Sequence, residues 1–204
     1  MASFQITDNI FVPFARLYRR VYSPPVMIAQ NIHHMPQIDR PIVLVGLMGV
    51  GKSTIGRRLA SRLGVDFVDA DHEIERAAGH SIAEIFEKYG EAHFRDGERR
   101  VIARLIDGSV KVIATGGGAF MNDATRALIL DKAIAVWIDA DIAILAERVS
   151  RRDTRPLLIG KDPKTVLKSL AEVRNPIYQL AQIHVRSETA PSEATVDAIM
   201  EKLS

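Results

Sequence analysis

The stretch Gly46-Leu-Met-Gly-Val-Gly-Lys-Ser-Thr54 decides the fold prediction, because its first eight residues match the phosphate-loop pattern G-x-x-x-x-G-K-[ST] in full. Before it, Pro41-Ile-Val-Leu-Val45 is a short, β-branched apolar run that is typical of a buried strand. After it, apolar residues recur at helical spacing from Ile55 to Leu63, and Gly64 offers a helix end. This context favours a nucleotide-binding loop over a chance Gly-Lys-Ser in a turn.

The residues of this loop suit phosphate binding. Its glycines let the backbone curl, so that several N–H groups point at one phosphate near the positive end of the new helix. Lys52 can reach the β- and γ-phosphates, and the Ser53 hydroxyl can ligate Mg²⁺. The sequence therefore predicts a protein that handles a magnesium nucleotide.

Bulk composition narrows the class of protein. The chain has 204 residues, of which 47% are hydrophobic and 25% charged, so global disorder and membrane spanning are not expected. A formal net charge of +2 gives no reason to expect nucleic-acid binding. The absence of cysteine excludes disulfides and thiolate metal sites, and no H-x-x-x-H pair supports structural zinc. We expect a cytoplasmic monomer with neither a membrane nor a nucleic-acid partner.

The chain divides into an N-terminal extension, residues 1–38, and a kinase-type domain, residues 39–204. The extension holds four of the nine prolines and shows no sustained helical or strand period, so we expect it to be flexible. Its arginines resemble those of an organelle transit peptide, but Asp8 and the prolines argue against that reading.

Strand-like and helical segments alternate from Pro41 onward. Strands are predicted at 41–45, 66–69, 110–114, 133–138 and 183–186, with helices at 52–63, 72–78, 81–106, 123–130, 141–150, 163–181 and 192–203. This alternation predicts an α/β fold of three layers, in which a five-stranded parallel sheet has helices on both faces. In such sheets ligands gather at the carboxyl ends of the strands.

Asp69-Ala-Asp71 ends the second predicted strand. If the segment is extended, both carboxylates lean to one side of the sheet. A magnesium nucleotide needs a carboxylate near the metal, and a hydroxyl nucleophile needs a proton acceptor. The alternative is that Asp71 only caps the next helix.

Three further segments are candidates for the site. Thr115-Gly-Gly-Gly118, after the third strand, is either a close approach to ligand or a flexible turn. The basic segment 150–163, which contains Arg155, is typical of a mobile lid that brings arginine to a phosphoryl group. Asp139 ends a strand like a metal-binding aspartate, although Asp139 or Asp141 can instead cap the following helix.

Taken together, these motifs resemble the shikimate kinase family over about residues 41 to 200. The matching motifs occur in the family's order and at about its spacing: Gly46–Gly56, Asp69-Ala-Asp71, Phe94-Arg95, Gly116–Gly118, Arg155-Pro-Leu-Leu158 and Arg174-Asn-Pro-Ile-Tyr178. The phosphate loop alone fits many kinases, and the five later motifs make the resemblance specific.

The resemblance implies ATP-dependent phosphorylation of shikimate at its 3-hydroxyl, a step toward chorismate and the aromatic amino acids. It implies ATP contacts from Gly49, Val50, Gly51, Lys52, Ser53, Thr54, Arg148 and Arg155. It implies substrate contacts from Asp71, Arg95, Gly116, Gly117, Gly118 and Arg174, the two arginines gripping the carboxylate. It also implies Mg²⁺ held by Ser53 directly and by Asp69 through water, and catalytic roles for Lys52, Asp71 and Arg155.

The sequence departs from the family pattern in two places, and three alternatives to the shikimate kinase function remain to be weighed. The family needs nothing like residues 1–38, and Ser187–Pro191 lacks the basic residue that some relatives place beside adenine. A gluconate-type kinase could share the fold, although the arginine pair and the triple glycine favour shikimate. A regulatory GTPase would show D-x-x-G and N-K-x-D, and neither string occurs in the chain. A pure ATP-binding module requires Asp71 to be only a cap.

Overall fold

The computed structural model describes residues 37–150, 162–187 and 192–204, which all belong to one compact unit, Met35–Ser204. Within these ranges, five parallel strands form one sheet in the order β2-β3-β1-β4-β5. The strands are β1 Ile42–Val45, β2 Asp66–Asp69, β3 Lys111–Ala114, β4 Ile134–Asp139 and β5 Ile183–Arg186. The predicted five-stranded parallel sheet is confirmed, with strand ends shifted by at most one residue.

Seven α-helices lie in the described ranges: α1 Lys52–Leu63, α2 Ala70–Ala78, α3 Ile82–Leu105, α4 Asp123–Lys132, α5 Ile142–Ser150, α6 Pro163–Tyr178 and α7 Ser192–Leu203. The crossover from β1 leads to one edge of the sheet, and every later crossover leads toward the other edge. Because such crossovers are right-handed, α1 covers one face and α2 to α6 the other. Accordingly α7 packs on α1, while α5 packs on α6 and α3 on α4. Among these helices, none combines the length and apolar character needed to cross a membrane.

The centre of the sheet forms the core. All four residues of β1 are at most 1% exposed, because strands on both sides and helices on both faces exclude water. This burial explains why the sequence of β1 is uniformly apolar rather than alternating. The loop that follows β1 therefore begins at the buried centre of the sheet.

Helices α2 and α3 differ from their predicted form, while α6 ends three residues earlier and α4 two residues later than predicted. Helix α2 starts at Ala70, two residues earlier than predicted, so Asp71 lies in its first turn rather than on an extended strand. Helix α3 begins with a capping box of Ser81 and Glu84, and it is broken at Gly90, which has φ 79° and ψ 172°. Only glycine adopts this backbone conformation readily, so the break is encoded in the sequence.

Candidate active site

The phosphate loop joins β1 to α1 in the predicted way. Gly49 and Gly51 have φ of 83° and 95°, and Gly51 is the N-cap of α1. A side chain would be strained at both positions, which explains the glycine spacing of the motif. The Lys52 ammonium group lies inside the loop and donates to the carbonyls of Gly46 at 2.8 Å and Leu47 at 2.9 Å.

Ser53 and Asp69 meet across the carboxyl ends of β1 and β2. The Ser53 hydroxyl donates to Asp69 Oδ2 at 2.7 Å, and Asp69 Oδ1 accepts from the Asp71 N–H at 3.2 Å. Asp69 is therefore the N-cap of α2. The alternative that Asp71 caps this helix is wrong, and so is the expectation of an extended backbone at Asp71.

The Ser53–Asp69 contact provides a test of whether the site suits Mg²⁺. A hydroxyl and a carboxylate are hard oxygen ligands, and Mg²⁺ typically takes one or two such protein groups together with water and substrate phosphates. The described residues contain no cluster of three or more His, Cys, Asp or Glu side chains that would form a complete metal cage. The donor set thus fits a magnesium ion that is shared with a nucleotide.

A cavity of about 470 Å³ gathers most of the predicted site residues. It is lined by Gly49–Thr54 of the loop, by both aspartates, by Gly116 and Gly117, and by Arg148. The loop and the aspartates thus face the same space, although they come from different strands. Arg95, Gly118 and Arg174 adjoin this space through the glycine turn described next.

The triple glycine leaves room for neighbouring side chains and does not supply an unusual backbone conformation. None of Gly116, Gly117 and Gly118 has a positive φ. A Cβ on Gly116 would lie 2.9 Å from Asp71 Oδ1, and one on Gly118 would lie 2.5 Å from Arg95 Nη1. One on Gly117 would lie 3.3 Å from Arg174 Nη1. Three predicted site side chains therefore pack directly on this backbone.

Arg95 is held by two glutamates of α3. Its Nη1 donates to Glu98 Oε2 at 2.7 Å, and its Nη2 donates to Glu91 at 3.2 Å. Glu98 is 3% exposed, and its Oε1 has no hydrogen-bond partner among the described residues. Burial raises the pKa of Glu98, the Arg95 guanidinium opposes that rise, and Asp71 adds to it. Glu98 had no predicted role, although its spacing of three residues from Arg95 on a helix could have indicated the pair.

Arg174 and Tyr178 lie one turn apart on α6. Tyr178 is fully buried, and its hydroxyl donates to the Gly117 carbonyl. Burial raises the pKa of this phenol to about 12, and the charge and hydrogen bonding of Arg174 act in the opposite direction. Tyr178 was part of the motif quoted from the sequence, but nothing in the sequence indicated a contact with the glycine turn.

Arg148 also lines the cavity. Its Nη1 lies 3.5 Å from the Ser187 hydroxyl at the end of β5. Arg155 and the rest of the predicted lid between Ser150 and Asp162 lie outside the described residues. Of the two other aspartates, Asp141 accepts from the Ala143 N–H at 2.7 Å and caps the start of α5, while Asp139 is not among the residues that line the cavity.

Comparison with known proteins agrees with this arrangement. Residues 48–204 match the family model described as shikimate kinase. A shikimate kinase from Caulobacter vibrioides is 60% identical over 168 residues, covering 82% of this chain and 84% of the relative.

Solved structures resemble the fold to different degrees. The shikimate kinase from Acinetobacter baumannii in complex with shikimate has a TM-score of 0.77 at 36% identity, covering 80% of this chain and 92% of that one. A gluconokinase from Sinorhizobium meliloti has a TM-score of 0.56 at 18% identity, covering 81% and 91%, which shows a shared fold alone. The chain belongs to the shikimate kinase family.

Proposed function

We propose that this chain transfers the γ-phosphoryl group of ATP to the 3-hydroxyl of shikimate, a step in the formation of chorismate and the aromatic amino acids. The observation that carries the proposal is the position of the glycine turn. The turn lines a cavity together with the phosphate loop and Asp71, and it also packs on Arg95 and Arg174. A site that combines an acid–base group with two guanidinium groups suits a hydroxylated carboxylate.

On the donor side, the N–H groups of Gly49 to Thr54 bind the phosphates of ATP, and the Lys52 ammonium group neutralises charge on the β- and γ-phosphates. Arg148 packs on the adenine, a role compatible with its place beside Ser187 at the cavity wall. Arg155 contacts the transferring phosphoryl group. Ser53 and Asp69 would hold Mg²⁺, Asp69 through water, and the ion would neutralise charge on the phosphates.

On the acceptor side, Arg95 and Arg174 bind the carboxylate of shikimate, and the glycine turn contacts the substrate through its main chain. Asp71 binds the hydroxyl end and accepts the proton of the attacking 3-hydroxyl. The new bond joins that oxygen to the γ-phosphorus, and the bond from the γ-phosphorus to the β,γ-bridging oxygen breaks. ADP leaves with the electron pair of the broken bond.

The proposal also covers the domain boundaries, the oligomeric state and the location of the protein. Residues 39–204 constitute the catalytic domain, which acts as a monomer in the cytoplasm without membrane or nucleic-acid partners. The match to the family over residues 48–204 supports this assignment of the domain. Residues 1–38 form an extension that the reaction does not require.

A coupled assay of ADP release tests the proposed reaction. Purified full-length protein with ATP and Mg²⁺ is supplied with shikimate, with gluconate or with no acceptor, and the product is identified by phosphorus NMR. We expect turnover with shikimate alone and a product phosphorylated at the 3-hydroxyl. Turnover with gluconate but not shikimate would establish the rival kinase, and nucleotide binding without acceptor-dependent turnover would leave an ATP-binding module.

A further inference from the structure

Tyr178 is the largest fully buried side chain in the described residues, and it lies directly beneath the glycine turn. Its ring stacks near Phe120 and Trp137, with centroid distances of 6.4 and 6.1 Å. These aromatic contacts fix the ring, so the hydroxyl has little freedom to move. That hydroxyl donates to the carbonyl of Gly117.

The contact with Gly117 controls a group on the opposite side of the same peptide. The Gly117 carbonyl and the Gly118 N–H belong to one planar trans peptide, so they point in opposite directions. A hydroxyl that holds the carbonyl toward α6 therefore aims the Gly118 N–H away from α6. In the part of the chain that the structure describes, neither Gly117 nor Gly118 donates its N–H to a backbone carbonyl.

The guanidinium groups proposed to bind the carboxylate flank this peptide. Arg174 Nη1 is 3.3 Å from the Cβ position of Gly117, and Arg95 Nη1 is 2.5 Å from that of Gly118. Arg174 also lies four residues before Tyr178 on α6, so both side chains project from one face of that helix. One helix thus supplies a charge beside the glycine turn and a hydroxyl that orients it.

We propose that Tyr178 is a positioning residue for the acceptor, because its hydroxyl sets the orientation of the Gly117–Gly118 peptide that completes the carboxylate site between Arg95 and Arg174. The assignment rests on the proposed function, since it presumes that the acceptor carries a carboxylate. Tyr178 does not contact the substrate. Its effect reaches the carboxylate through the backbone of the glycine turn and through Arg174, with which its hydroxyl also interacts.

Tyr178→Phe tests this role, because it removes the hydroxyl while keeping the buried ring. We expect the KM for shikimate to rise by about 3- to 10-fold, the scale of one lost hydrogen bond, while the KM for ATP changes less than about 2-fold. Tyr89→Phe, at an exposed tyrosine outside the site, is the matched control and should leave both constants unchanged. Thermal unfolding of each variant measures any loss of folded protein separately.

A purely structural role predicts another pattern. Loss of packing would lower the melting temperature and the active fraction, and hence kcat, without separating the two KM values. That pattern, or an unchanged KM for shikimate in Tyr178→Phe, would overturn the assignment. If the wild-type enzyme does not phosphorylate shikimate at all, the proposed function fails instead, so the two failures are distinguishable.

An acceptor analogue makes the test specific to the carboxylate. With shikimate carboxamide, which lacks the charge, the ratio of KM between Tyr178→Phe and wild type should fall toward one. A ratio as large as that measured with shikimate would show that the hydroxyl acts elsewhere in the site. Either result decides whether the glycine peptide serves the carboxylate.

Discussion

The guanidinium of Arg95 holds one oxygen of the Glu98 carboxylate at 2.7 Å, while the other oxygen of that carboxylate has no protein partner in the described part of the chain. The two side chains differ in their exposure to solvent: the arginine side chain is 28% exposed and the glutamate side chain only 4%. Removing a carboxylate from water is costly, and a single arginine offsets this only in part. Glu98 thus orients an arginine that we propose binds the substrate, at a cost in stability.

Glu98→Gln should separate these two effects. Loss of the charged partner leaves Arg95 less firmly oriented, so we expect the KM for shikimate to rise about tenfold. Glu91→Gln is the matched control, because it removes the solvent-exposed partner of the same arginine and should change that KM less than about 2-fold. Equal effects in steady-state kinetics would contradict a special role for the buried partner.

The raised pKa of Glu98 predicts that the difference in stability between Glu98→Gln and the wild type depends on pH. Because the folded pKa of Glu98 lies above its ordinary value of 4.5, the folded state keeps a proton that the unfolded state has already lost. The Glu98 contribution to the free energy of unfolding therefore falls as pH rises from 4.5 through the folded pKa. Denaturant titrations at several pH values should show Glu98→Gln gaining stability relative to wild type over that window. A constant difference would contradict the raised pKa.

Gly118→Ala tests the close packing of the glycine turn. The added methyl would lie 2.5 Å from Arg95 Nη1, so the guanidinium must move. We expect the KM for shikimate to rise by about tenfold or more, with little change for ATP. Gly97→Ala is the control, because its methyl meets no atom within 4 Å and should stabilise helix α3 by up to about 1 kcal/mol. Similar kinetics in both variants would refute the steric argument.

Asp71 and Arg174 should affect different steps. Asp71→Asn keeps the size of the side chain but removes the proton acceptor, so turnover should fall by about 10²–10⁴-fold while ATP still binds. Arg174→Ala should weaken shikimate binding by about 1.5–3 kcal/mol, the scale of a charge-assisted hydrogen bond. Calorimetric titration with each ligand measures both. The roles are wrong if Arg174→Ala weakens ATP as much as shikimate, or if Asp71→Asn keeps most of its turnover.

Arg155→Ala should reduce turnover far more than shikimate affinity, because charge on the transferring group develops mainly in the transition state. Arginines that act on transferring phosphoryl groups contribute about 10³–10⁵ in rate, which is an upper guide here. Single-turnover kinetics with saturating ATP isolates this step. Near-normal turnover would remove Arg155 from the site.

Deletion of residues 1–36 should leave the kinetics with ATP and shikimate nearly intact, because the phosphate loop and the family match begin well beyond this segment. The measurement compares kcat and both KM values of the truncated and full-length proteins. Loss of soluble, folded enzyme on truncation would contradict the prediction and indicate that the extension packs on the domain.

The sheet and the nucleotide loop were predictable because local rules specify them. Buried parallel strands are uniformly apolar, as in Ile42–Val45, and the glycines of the loop occupy positions of positive φ. Helix ends also followed local chemistry, as at Gly64, whose φ is 68°. These features depend on residues that are neighbours in the sequence, so they can be predicted from a single amino-acid sequence.

The remaining features depend on contacts between distant residues. Nothing local distinguishes Tyr178 from an ordinary core tyrosine, since its partner Gly117 is 61 residues away in the chain. Asp69, and not Asp71, caps α2, and the Ser53 hydroxyl that holds the second oxygen of Asp69 is 16 residues away in the chain. The role of the triple glycine was ambiguous for the same reason, because the side chains that would crowd a Cβ there come from α2, α3 and α6.

The adjacency of β1 and β3 has a mechanical consequence. Thr115, which follows β3, donates both its N–H and its hydroxyl to the Leu44 carbonyl of β1, tying the base of the glycine turn to the base of the phosphate loop. Paired strands lie about 4.8 Å apart, a spacing that neither strand can change alone. The sheet thus fixes the distance between the phosphate loop, proposed to support the phosphoryl donor, and the glycine turn, proposed to support the acceptor. Only side chains then need to move to align the reacting atoms.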